Sequence, residues 1–157
     1  MFDHTNFDNR YAKIVKTLNI PEDRYEQILS YVMEMITDYH GNVMDIIKEI
    51  PLNLKGNERF FTMLMVGNYT SQSFSIKNDE ERNEFITNTT NAMKLNKERA
   101  TLSTDYITYI IIENIGKVPT VDIIKNIVNS DFPDTEKDFI LFILGIILNI
   151  DTEHWHY

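Results

Sequence analysis

The residues able to act as acids, bases or metal ligands are few in this 157-residue chain, and they are scattered. Four histidines are present. His154 and His156 flank Trp155, and two imidazoles one residue apart can grip a divalent ion from an extended strand. So near a terminus the same residues read as a tail. His4 is likewise terminal. His40 precedes Gly41 at an expected helix end, where an imidazolium interacts favourably with the dipole. No HExxH motif occurs, so no metal is expected.

Among the carboxylates, Glu34 and Asp38 lie one helical turn apart, opposite Val32 and Ile36, and read as a solvated face. Glu113 interrupts the run YIIIENI. A carboxylate beside an apolar stripe can be partly buried with a raised pKa. With Tyr106 or Tyr109 it would make an acid–base group or line a small-ligand pocket. An acid at a stripe boundary is ordinarily solvated, so no catalytic residue is expected. The chain has no cysteine, which removes thiolate catalysis, disulfides and cysteine-bound zinc. Neither GxxxxGK[ST] nor GxGxxG appears, and no cofactor is expected.

One polar stretch stands apart. Residues 129–138 read NSDFPDTEKD, with four acids, one lysine and an aromatic residue. Asp131, Phe132, Asp134, Glu136 and Asp138 are expected to form a partner-binding site, an acidic knob with an aromatic anchor. A plainer reading is an acidic loop leading into a helix, with Thr135 and Asp138 as a capping box.

Charge supports the binding reading. The formal net charge is −9, and residues 98–157 carry ten acids against four bases. Phosphate backbones are held by clustered Lys and Arg, which the sequence lacks, so nucleic acid is not expected. A basic protein surface is the better partner.

These residues must be positioned by helices. From Tyr25 the apolar positions Ile28, Leu29, Val32, Met33, Ile36 and Tyr39 follow helical spacing. Pro21 suits a first helical position, and Gly41 a helix end. Asn42 can cap a short helix stopped by Pro51, and Asn57 can cap the next, whose end falls between Gly67 and Phe74. Asn78 with Glu81 forms a capping box. Ser103 or Thr104 opens a further helix through Ile107, Ile110, Ile111 and Ile115, closed by Gly116. Thr120 opens a short one, and Thr135 opens the last, which contains FILFILGIILNI. An opening helix over Asn9 to Leu18 makes eight. The expected fold is all-α, a single helical domain over residues 1–157.

The chain also repeats itself. DIIKEI at 45–50 recurs as DIIKNI at 122–127. Glu58 to Gly67 pairs with Glu136 to Gly145 at an offset of 78, and Tyr31, Val32, Met35, Ile36 and Gly41 pair with Tyr106, Ile107, Ile110, Ile111 and Gly116 at an offset of 75. Three blocks in one order suggest a duplicated unit of long helix, short helix and helix, roughly 22–74 and 98–150. Asp45 and Asp122 then sit in first turns, where a carboxylate offsets the helix dipole. Lys48 and Lys125 follow at ion-pair spacing.

The last helix is apolar all round, which predicts a central position enclosed by the others. Met33, Met35, Met44, Met63 and Met65 are expected to fill the core. The longest apolar run, Phe139 to Leu148, would span about 15 Å as a helix, half of a hydrocarbon core, so no membrane span is expected. The opening MFDHTNFDNR lacks the pattern of a signal peptide, and a cytoplasmic location is expected. The function expected is a non-enzymatic acidic protein that blocks a basic partner, of the immunity-protein or phage-inhibitor type. The alternative is a helical scaffold or self-associating protein, with the last helix carrying the contact.

Overall fold

A computed structural model describes residues 4–73 and 78–148. It is all-helical, with eight helices among those residues: α1 (His4–Thr17), α2 (Glu22–Asp38), α3 (Val43–Asn53), α4 (Gly56–Ser73), α5 (Asp79–Ala92), α6 (Lys97–Glu113), α7 (Thr120–Val128) and α8 (Asp134–Leu148). His154 and His156, read from the sequence as a tail, and the repeat ends Phe74, Asn149 and Ile150 lie outside the described residues. No described helix is long and apolar enough to cross a membrane.

Several helix ends follow the local chemistry read from the sequence. The Asn78 side chain accepts from the Glu81 N–H at 2.9 Å, and the Asn42 side chain accepts from Asp45 at 3.4 Å. Gly41 and Gly116 both adopt positive φ, at 76° and 85°, just beyond the ends of α2 and α6. Glycine occupies this left-handed region without the Cβ penalty.

Other ends differ, each for a physical reason. Helix α6 begins at Lys97, six residues before Ser103, because Asn96 caps it by accepting from the Arg99 N–H at 2.8 Å. Pro51 does not stop α3, which runs on to Asn53. In the last turn a proline forfeits one hydrogen bond without breaking a continuing ladder. Asn57 does not cap α4; its side chain donates to the Leu18 carbonyl at 2.8 Å and ties α4 to the end of α1. Pro21 serves as the N-cap of α2 rather than its first helical residue. Thr135 lies inside α8, and its supposed capping partner Asp138 is engaged by Arg59.

Helices α4 and α8 form the centre. Every residue of α8 from Phe139 to Gly145 is buried, as is every residue of α4 from Phe60 to Asn68. Met35, Met63 and Met65 are buried, and Met33 and Met44 are half-buried. The two central helices meet at Gly67 and Gly145. A Cβ added to Gly67 would lie 2.1 Å from the Phe142 carbonyl oxygen, and one added to Gly145 would lie 2.3 Å from that of Leu64. Neither contact is sterically possible, so the backbones touch where side chains would normally hold helices 8–10 Å apart. Two turns earlier, Arg59 of α4 reaches Asp138 of α8. Two contacts in the same order along both helices mean that α4 and α8 run in the same direction.

The remaining helices pack around this pair in matching fashion. Helices α2 and α3 contact α4, and α6 and α7 contact α8. Helix α1 packs on α7, and the Tyr11 hydroxyl donates to Asn68 of α4 at 3.0 Å. Replacing Gly145 with alanine is expected to destabilise the protein by about 3 kcal/mol or more, since the clash is with backbone that cannot yield locally. Urea unfolding against the exposed-site variant Ser30→Ala checks this, and a change below about 0.5 kcal/mol would refute the close crossing.

Candidate partner-binding surface

The five expected binding residues divide into two groups. Glu136 and Asp138 lie in the first turns of α8 and point inward, and both are buried. Arg59 donates to both Asp138 oxygens, with Nη2 to Oδ2 at 2.5 Å and Nε to Oδ1 at 3.1 Å. Arg99 donates to Glu136 as a fork, through Nε at 2.8 Å and Nη2 at 2.6 Å. A planar guanidinium matches a carboxylate in this way, which suits Arg to buried pairs. Lys137 is turned elsewhere, donating to the Val128 carbonyl at 2.7 Å with its ammonium 5.5 Å from the Phe60 ring centre. Glu136 and Asp138 therefore join helices instead of presenting charge to solvent.

Burial has a further effect on Asp138. Loss of water pushes its carboxyl up to about 6, against the pull of Arg59 and with a small push from Asp134. Arg99 is raised, chiefly by its hydrogen bond to Glu136.

The other three residues remain at the surface. Asp131 and Asp134 are exposed, and Phe132 between them is half-buried. Phe132 packs on Tyr106 of α6, with ring centres 4.9 Å apart, and Tyr106 stacks in turn on Tyr109 at 6.2 Å. Burial holds the Tyr106 phenol above its usual range. This aromatic run connects the acidic loop to the outer face of α6.

That face was not legible as a site in the periodicity of one stripe. Ser103, Ile107 and Ile110 form the buried side of α6. On the other side Leu102, Tyr109 and Ile112 are 45%, 53% and 59% exposed. Ile111, expected in the core, is also exposed. Positions 98, 102, 105, 109 and 112 step by four and three, so they share one line along the helix. The acids Glu98 and Asp105 interleave with the apolar residues, and exposed Glu113 adjoins Ile112. The signal was the presence of two apolar lines on a single helix, one more than a surface helix needs.

Glu113, considered as a partly buried carboxylate, is exposed. Glu34 and Asp38 are exposed as expected, and His40 is exposed at the end of α2. No group of three His, Asp or Glu among the described residues is placed to hold a metal ion. The arrangement offers contact area with acidic flanks. No family model, curated protein or solved structure matches the chain.

The Asp138 shift fixes a sign. Its folded value, about 6, lies above the ordinary aspartate value, so the folded state binds this proton more tightly. The contribution to stability is fully present below the unfolded value and is lost as pH rises through about 6, an amount of about 3 kcal/mol. Asp138→Asn is expected to flatten the stability–pH curve in that window relative to the parent. Carboxyl NMR should show one aspartate titrating near 6. An Asp138 midpoint near 4 would refute it.

Proposed function

We propose that this protein is a non-enzymatic acidic binding protein that blocks or sequesters a basic protein partner, with the outer face of α6 and the loop over Asp131, Phe132 and Asp134 as its contact surface. One comparison within the chain carries the reading. At the offset of 75, Leu102, Tyr109 and Ile112 of α6 correspond to Gln27, Glu34 and Thr37 of α2. Those three α2 residues are exposed and polar. A helix in the matching place thus manages without apolar residues on this face, so packing alone does not account for them on α6. Exposed apolar area rimmed by polar residues marks an interaction site.

The duplication itself is proposed alongside. It is supported by a matched pair of ion pairs: Arg24 with Glu58 at 2.6 Å, and Arg99 with Glu136 at 2.6 Å. Arg24 and Arg99 stand 75 positions apart, and Glu58 and Glu136 stand 78 apart, the offsets of the two repeat blocks.

Charge chooses the occupant. Two copies of this face would bring Asp105, Asp131 and Asp134 toward like charges, whereas a basic partner complements them. The alternative, self-association through α8, would have to use the last turn, where Ile147 is exposed, because Phe139 to Gly145 are buried. Glu136 and Asp138 belong to the support of the site rather than to its contact surface.

The test is affinity capture at low and high salt with the parent and with Leu102→Ser/Tyr109→Ser. A basic protein held by the parent at low salt, shed at high salt and lost by the variant is expected. Reversal of Asp105, Asp131 and Asp134 to lysine should slow its association about tenfold or more. Retention of the same partner by the double variant would remove α6 from the contact, and concentration-dependent dimerisation abolished by that variant would replace the basic partner with a second copy.

A further inference from the structure

A cleft of about 810 Å³ opens between α3, the turn joining α5 to α6, and the start of α8. It is lined by Lys48, Arg59, Lys94 and Arg99, with Glu136 and Asp138 as its carboxylates among the described residues. In a chain of net charge −9, this surface carries more positive than negative groups. Both carboxylates are already matched by the two arginines. Lys48 and Lys94 are exposed and enter no ion pair among the described residues. Two ammonium groups are therefore left over at a cavity whose volume falls in the range of about 300–1,000 Å³ typical of small-molecule sites.

The other walls are mixed, with Asn91, Asn96 and Thr135 beside apolar side chains. Leu52, 81% exposed, and Met93 line the same cleft. Leu52 projects from a helix whose other side is fully buried through Ile46, Ile47 and Ile50, so the core makes no use of it. The backbone adds a further observation. Lys94 follows the end of α5 with φ of 59°, in the left-handed region where Gly or Asn is the ordinary choice. Asn19 and His40 take the same conformation after α1 and α2, and the Leu95 N–H donates to the Thr90 carbonyl, so this is a helix-ending turn that sets Lys94 at the cleft.

We infer that this cleft binds a small organic phosphate, its dianionic head met by Lys48 and Lys94 and its apolar or aromatic body by Leu52 and Met93. Two free ammonium groups match a dianion better than a single carboxylate. The site is separate from the α6 face, so the two readings stand or fall independently.

Calorimetric titration of the full chain with 1-naphthyl phosphate tests the inference, with inorganic phosphate and 1-naphthol as the head and body alone. One-to-one saturable binding of naphthyl phosphate is expected, with each half at least tenfold weaker. Lys48→Ala/Lys94→Ala should weaken it at least tenfold without lowering Tm, since both positions are exposed. Lys94→Gly should also weaken binding while raising Tm by about 2–4 °C, because glycine relieves the left-handed strain. Loss of binding together with gain of stability is an outcome that a merely structural lysine would not give. No saturable binding at millimolar ligand, equal binding of naphthol, or unchanged affinity in the double lysine variant would each overturn the inference.

Discussion

The contact of Gly67 with Gly145 sets the rest of the architecture. With no side chain on either helix at the crossing, α4 and α8 approach until backbone meets backbone. Every other helix is then arranged around a pair thinner than two ordinary helices would be. The closeness explains why α8 is apolar on all sides: one side faces α4, and α6 and α7 cover others. It also explains why glycine is tolerated inside two helices despite its low propensity, since dispersion gained along the whole contact outweighs about 1 kcal/mol per residue.

Running α4 and α8 in the same direction has an electrostatic effect. Their positive ends lie side by side, and the first turn of α6 joins them through Arg99 and Glu136. Carboxylates in first turns offset such a concentration of partial positive charge. Glu58, Glu136 and Asp138 all occupy first or second turns here, and each is engaged by an arginine from another helix. The pairs link helices that are far apart in sequence, Arg59 to Asp138 spanning 79 positions. A buried ion pair is weak evidence for net stability, but it fixes which helix ends lie together.

Much of the fold was legible because it depends on local rules. Helical periodicity placed eight helices, Asn78 marked a cap, and the all-round apolar character of residues 139–145 marked a centre. Helix starts failed where a side chain had a distant use. Asn57 was spent on Leu18, and Asp138 on Arg59, partners no local window contains. The acidic stretch 129–138 shows the same dependence on distant residues. Its charge was visible in the sequence, but which carboxylates turn inward depends on arginines elsewhere in the chain. The α6 face was hidden differently: Leu102, Tyr109 and Ile112 look like core until one sees that Ser103, Ile107 and Ile110 already fill that role.

The crossing at Gly67 and Gly145 also bears on how the chain is made. During synthesis α4 emerges long before α8, and the side of α4 that meets α8 has no partner until then. A ribosome adding about 5–20 residues per second leaves that surface open for several seconds, until residue 145 has cleared the exit tunnel. The nascent chain must pass this interval either loosely collapsed or in the care of a chaperone. Contacts joining distant parts of a chain are slow to form for the same entropic reason. The feature that makes the finished molecule tight therefore makes its birth hazardous, and a truncated product ending before α8 would be an early target for proteases.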